Sequence, residues 1–262
     1  MFKSWYLGRV QEIDIFLNPT LVMLALYVLA SGGIDSALLV IAAFGCVFLH
    51  EMGHALMARC YGIRTAHITL YPIGGVAALE RMPRSAGPEL LIALAGPAVN
   101  FALAIGLWCV MALGGVLFGG APDPMLVNLL YLNLGLGLFN LLPIFPMDGG
   151  RIFRALLSGR LGRARATAVA ASVGQTLAMA AGLYFLFHFF WIQAALAAFV
   201  YLAAGMERAR VLEEESGRRR VPPRSAWPEP PFGFRWAQRN RGGRIEPILI
   251  RVVEPSGART WH

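Results

Sequence analysis

Apolar residues in this chain gather into long blocks instead of alternating over short runs. Blocks at roughly 18–31, 36–58, 88–116, 125–142, 166–187 and 190–206 approach the ~20 residues that a helix needs to cross a bilayer, so the pattern predicts about six spanning helices. The first block is short and the third long, which implies tilt or a broken start. Pro19 suits a first helical turn, whereas Gly96-Pro97 predicts a kink or interruption in the third helix. Two stretches follow a different period. "EIDIFL", 12–17, alternates, and "AHITLYPIGGVAAL", 66–79, sets β-branched and aromatic residues around a Pro-Ile-Gly-Gly interruption, which reads as a hairpin. The fold class expected is an α-helical polytopic membrane protein with a small membrane-associated β-sheet and a short tail. Residues 1–206 form the embedded domain and 207–262 a basic, proline-containing cytoplasmic tail.

Composition supports the membrane reading. The chain is 57% hydrophobic and only 15% charged, where a soluble domain carries about 25% charged residues. Residues 1–18 are polar and mixed, without the apolar core of a cleavable signal. Every Lys and Arg lies before the first block, within 59–84, within 151–165, or beyond Met206. By the positive-inside rule, both termini and those two connections face the cytoplasm, which predicts a multi-pass protein of the plasma or inner membrane. The net charge of +8 is then topology plus attraction to anionic lipid heads, and nucleic acid is not expected as a partner. Cys46, Cys60 and Cys109 show no paired spacing, so no disulfide framework is expected. The 22 Arg against one Lys fit a high-GC bacterial genome. "RIFRALLSGRLGRARA", 151–166, reads as an amphipathic surface helix whose arginines meet lipid phosphates. The tail opens extended and loosely folded through "VPPRSAWPEPPFGFRW", and "IEPILIRVVEP", 245–255, adds a strand.

Against this background "VFLHEMGHALMAR", Val47–Arg59, is out of place: ionisable groups in lipid are costly and mark working sites. His50 and His54 are four apart and share one helical face. Two imidazoles so placed can grip one zinc ion, with Glu51 beside it to take a proton from water, the HExxH arrangement of zinc peptidases. Counting back from Arg59 at 1.5 Å per residue puts the pair about 7 and 14 Å inside the cytoplasmic boundary. Cys46, one turn earlier on the same face, is either a further approach to the metal or a small packing residue.

Catalytic zinc usually has three protein ligands, and no third His or Glu follows the pair closely. Asp148, in "NLLPIFPMDGGRIFRALL", is the only acidic residue between Asp123 and Glu207. Pro143 and Pro146 break the preceding helix, and Gly149 and Gly150 permit the tight backbone that turns a carboxylate inward. The competing role is an N-cap for a short helix at 150–158; next to a metal lacking a ligand, coordination is the stronger reading.

HEMGH on a spanning helix, "GPAVNF" at 96–101 and "NLLPIFPMDGG" at 140–150 together resemble the site-2 protease family of intramembrane zinc metalloproteases, over roughly residues 1–206. The resemblance implies one Zn²⁺ held by His50, His54 and Asp148, with Glu51 as general base. It implies hydrolysis of peptide bonds in or near the transmembrane segments of other membrane proteins. It also implies a site role for Asn140, as a donor to substrate backbone or oxyanion, while Asn100 is read as helix packing. Gly74, Gly75 and Val76 fall where the family carries Gly-Gly-Val, so a sheet edge accepting extended substrate is expected there. The tail or a membrane partner is expected to regulate access. Two other readings stay open. One is a metal transporter or sensor using the same ligands without hydrolysis. The other is a membrane metalloprotease attacking soluble loops, against which the long gap to Asp148 argues.

Overall fold

The computed structural model describes residues 4–72, 74–80, 83, 85–219, 229–231, 234–241 and 244–251. Ile73 of the hairpin turn, most of the proline run after Val221, and residues 252–255 lie outside the described residues. The chain divides into two units, 1–205 and 206–262.

The first unit opens with β1 (Trp5–Val10) and β2 (Ile13–Leu17), an antiparallel hairpin. The long helix α1 (Pro19–Cys60) follows. Asn18 caps it, its side chain accepting from the Thr20 amide at 3.1 Å, and Pro19 takes the first turn as expected. Gly33 alone breaks α1: its φ of 75° lies in the left-handed region that glycine tolerates without strain. The two blocks predicted at 18–31 and 36–58 are the parts on either side.

Strands β3 (Thr65–Tyr71) and β4 (Gly74–Leu79) form the expected hairpin. β2 pairs with β3 in parallel, giving one four-stranded sheet in the order β1-β2-β3-β4, with β4 at an edge. Only part of this sheet was legible; β1 looked merely polar in sequence. The sheet packs on α1 through Ile13, Leu21, Met52, Ala55, Ile68 and Leu70. Met52 and Ala55 lie within and beside the HEMGH turn, so this core fixes the rotation of that turn against the sheet.

Four more helices complete this unit: α2 (Ala86–Phe118), α3 (Pro124–Asn140), α4 (Asp148–Leu161), α5 (Arg163–Phe187), with α6 beginning at Trp191. α2 packs on α1, α3 and α4. It runs through Pro97 unbroken, contrary to the predicted interruption. Proline forfeits one backbone bond, and membrane helices tolerate that where neighbours cover the freed carbonyl; Pro97 is fully buried. α5 packs closely through small residues, with Ala170, Ala171, Ala204 and Phe145 forming one core.

Two expectations need correction. α4 is not simply a surface helix with lipid-facing arginines, because Arg154 is fully buried and paired with Glu89. Gly162, with φ of 77°, also separates α4 from α5, so 151–166 is not one helix. The last helix does not stop near 206: α6 runs to Arg219. Its continuation is built of charged helix formers, with Arg210 and Glu214 one turn apart and 3.6 Å from each other. In the second unit β5 (Phe234–Arg241) and β6 (Arg244–Arg251) form an antiparallel hairpin.

α1, α2 and α5 are long and apolar enough to cross a membrane, and α3 is a shorter apolar helix. Their outward residues are large and apolar, among them Tyr27, Ile41, Trp108, Val116, Phe118 and Leu183. Exposure on that scale is consistent with a lipid solvent.

Candidate metal centre

His50 and His54 project from the same face of α1, and both are buried. The turn before α4 brings the third group to them. Leu141–Met147 folds back so closely that a side chain on Gly149 would collide with the carbonyl oxygens of Leu141 and Leu142. One on Gly150 would lie 2.7 Å from the Phe145 nitrogen. The tight path predicted from the two glycines is the one observed. Asp148 is the first residue of α4 and makes no capping bond; Met147 holds the cap position. Its carboxylate points to the imidazoles instead.

His50 Nε2 and His54 Nε2 are 3.1 Å apart. Asp148 Oδ2 lies 3.2 Å from the first and 3.0 Å from the second. Donor atoms about 2.0 Å from one tetrahedral ion would be about 3.3 Å apart. The outer hydrogen bonds make the same point. His54 Nδ1 lies 2.7 Å from the Ile92 carbonyl oxygen and His50 Nδ1 lies 3.1 Å from Asn100 Oδ1. In the neutral tautomer that donates to these oxygens, each Nε2 presents a lone pair beside the carboxylate, which is the donor set one cation takes. Among the described residues this is the one such cluster of three. The residues fit one zinc ion, and their outer hydrogen bonds orient each imidazole as metal-binding histidines require.

α2 supplies the floor. Ile92, Gly96 and Asn100 recur at helical spacing on one buried stripe. A side chain on Gly96 would run into His54 Nε2 and stand 2.7 Å from His50 Nε2. No other residue lets the backbone approach the imidazoles so closely.

The family model described as peptidase family M50 matches residues 38–121 and 116–181, more than half of the chain. The chain belongs to that family. It is the site-2 protease family, and the resemblance read from HEMGH, GPAVNF and NLLPIFPMDGG is correct. A zinc metalloprotease of Methanocaldococcus jannaschii is 39% identical over 220 residues, covering 82% of this chain and 63% of the relative. The stage IV sporulation protein FB of Bacillus subtilis is 27% identical over 150 residues, 57% of this chain and 49% of the relative. This chain thus spans less than two thirds of the length of these relatives. The solved site-2 protease from Methanocaldococcus jannaschii superposes with a TM-score of 0.59 at 38% identity, over 79% of this chain and 95% of that one.

The other predicted residues of this M50 chain fall as follows. Glu51, half-buried, lies against β4: a side chain on Gly75 would come within 2.5 Å of Glu51 Cγ. Gly74, with φ of 135°, opens β4, and Val76 is exposed on that edge strand. Asn140 donates to the Leu136 carbonyl of its own helix at 3.0 Å. Cys46 is turned to α3, its Sγ accepting from Asn133 Nδ2 at 3.2 Å, and takes no part in the cluster. His67 is exposed on β3, its ring edge-on to Phe16.

Asn100, read from sequence as helix packing, does bond to a neighbouring helix, and its partner there is His50 Nδ1. The signal available was its spacing, four residues after Gly96 on the same face, but sequence could not say that this face meets α1.

Proposed function

We propose that this chain is a zinc endopeptidase that hydrolyses peptide bonds in or near transmembrane segments of other membrane proteins. The observation that carries the reading is the convergence of His50, His54 and Asp148, three buried side chains whose ligand atoms lie 3.0–3.2 Å apart, beside the Glu51 carboxylate. Membership of a peptidase family favours hydrolysis over metal transport or sensing. Zinc bound by these three side chains would lower the pKa of water and polarise the scissile carbonyl. Glu51 takes the proton of the attacking water and passes it to the leaving amine. Its position against Gly75 holds the carboxylate between the metal ligands' helix and the sheet edge.

A helical substrate must unwind to be cut, and its freed backbone groups need partners. Among the described residues the outer edge of β4 has no partner strand. An extended substrate added there, along Gly74, Gly75 and Val76, would run beside Glu51. Asn140 would exchange its bond to Leu136 for one to a substrate carbonyl. Six spans fit the helices if both parts of α1 and α6 cross the bilayer, with both termini and the arginine-rich connections in the cytoplasm of a bacterial inner membrane. The second unit, or a membrane partner, would regulate access.

The deciding experiment co-expresses single-span candidate substrates with the parent chain or with Glu51→Gln and maps fragments by mass spectrometry. Loss of a general base lowers turnover by about 10²–10⁴-fold, while zinc should stay bound. Fragments equally abundant with both proteins would reject hydrolysis by this site.

A further inference from the structure

Among the described residues of the first unit, Glu89 and Arg154 are the most deeply buried charges, and neither belongs to the metal cluster. Arg154 Nε donates to Glu89 Oε1 at 2.8 Å, and its Nη2 reaches the same oxygen. The guanidinium lies over the Phe145 ring, 5.2 Å from its centre. The placement of this pair is informative. Glu89 belongs to the same buried stripe of α2 as Ile92, Gly96 and Asn100, the three positions that touch the histidines. Arg154 stands on the same helix as Asp148.

Two contacts therefore tie α4 to the α2 stripe. At one end Asp148 meets the imidazoles that rest on Gly96. At the other Arg154 meets Glu89. From Gly96 back to Glu89 is about 10 Å of helix, and from Asp148 on to Arg154 about 9 Å, at 1.5 Å per residue. The spacings match, with the helices running in opposite directions, so the ion pair fixes where along α2 the start of α4 must lie. Phe145, beneath the guanidinium, belongs to the turn that delivers Asp148. Apolar packing of α4 would tolerate sliding; a charged, two-nitrogen grip on one carboxylate oxygen does not.

We propose that Glu89 and Arg154 are positioning residues that set the reach of Asp148 to the two histidines. The proposal rests on the metal-binding reading of that cluster. Its test uses the full chain in detergent, with Co²⁺ as a spectroscopic probe and a competing chelator to measure affinity. The double variant Glu89→Leu/Arg154→Met removes both charges of the pair together, a replacement that is often neutral for stability. It should unfold at nearly the parent temperature when metal-free. Its Co²⁺ dissociation constant should nevertheless rise about 10–100-fold, as on loss of an outer-shell partner, with altered d–d bands. Arg154→Lys keeps the charge but loses the two-nitrogen grip; it should fold and weaken Co²⁺ binding by a smaller factor, and it decides the matter if the double variant does not fold. Parent-like affinity and spectrum in the folded variants would overturn the proposal. A parent chain that takes up no Co²⁺ would overturn the metal reading first and this inference with it.

Discussion

Asn100 accepts the Nδ1 hydrogen of His50 at 3.1 Å, joining α2 to α1 beneath the metal cluster. In the neutral tautomer that makes this bond, the opposite nitrogen of the ring presents its lone pair. The asparagine is fully buried, and its Nδ2 has no partner among the described residues. An unpaired buried donor costs about 1–3 kcal/mol, so helix packing alone is a poor account of this side chain. Asn100→Ala should weaken zinc binding by about 10–100-fold, whereas Asn100→Asp keeps the acceptor and should retain most of the affinity. Chelator competition on the purified chain distinguishes the two.

Gly96 sits where two effects of opposite sign can be compared. Replacing a helical glycine with alanine ordinarily stabilises by about 1 kcal/mol. Here the new methyl would stand 2.5 Å from His54 Cε1 and 2.7 Å from His50 Nε2, with Nε2 of His54 nearer still. The rings must move, and displacement of about 1 Å at a reacting centre can cost about 10²-fold in rate. Gly96→Ala should therefore lose metal affinity and at least that much cleavage while leaving the helix content unchanged by circular dichroism. A variant with parent-like zinc binding would show that the backbone does not press on the imidazoles.

These two residues also mark the limit of what sequence carries. The HEMGH spacing places two ligands on one face because helical geometry is local, and Asp148 stood out because acidic residues are scarce between spans. The β3–β4 hairpin was legible from its alternation and its glycines. What could not be read was which faces meet. Arg154 looked like one more arginine of a cytoplasmic connection, and only the fold reveals Glu89 opposite it. Pro97 suggested a break because its lost hydrogen bond is visible in sequence, while the packing that covers it is not. β1 and the extension of α6 to Arg219 escaped for the same reason, since polar segments carry no strong period.

Metal removal should be felt by the whole first unit. The cluster joins α1 to α4 through three buried ligand atoms 3.0–3.2 Å apart, which a bound cation would hold together. A ligand present at 1,000 times its dissociation constant stabilises the bound state by about 4 kcal/mol. Chelation should therefore lower the thermal midpoint of the detergent-solubilised chain, and added zinc should restore it. Asp148→Asn removes the charged ligand, so its midpoint should respond to zinc only at much higher concentration. If parent and variant lose the same stability on chelation at equal zinc, Asp148 is not a ligand.

Gly75 separates the metal from the base. A side chain at this position would come 2.5 Å from Glu51 Cγ and 3.2 Å from Cδ and Oε1, and none of these three nearest atoms is a metal-ligand atom. Valine is favoured over glycine in strands, on a scale that spans about 1 kcal/mol, so Gly75→Val should leave folding intact. It should displace the Glu51 carboxylate and reduce cleavage by about 10²-fold while Co²⁺ binds with the parent's affinity and spectrum. That combination is the opposite of the Gly96→Ala outcome, in which metal binding falls as well. Full cleavage by Gly75→Val would mean that the strand yields to the new side chain and that its contact with Glu51 does not place the base.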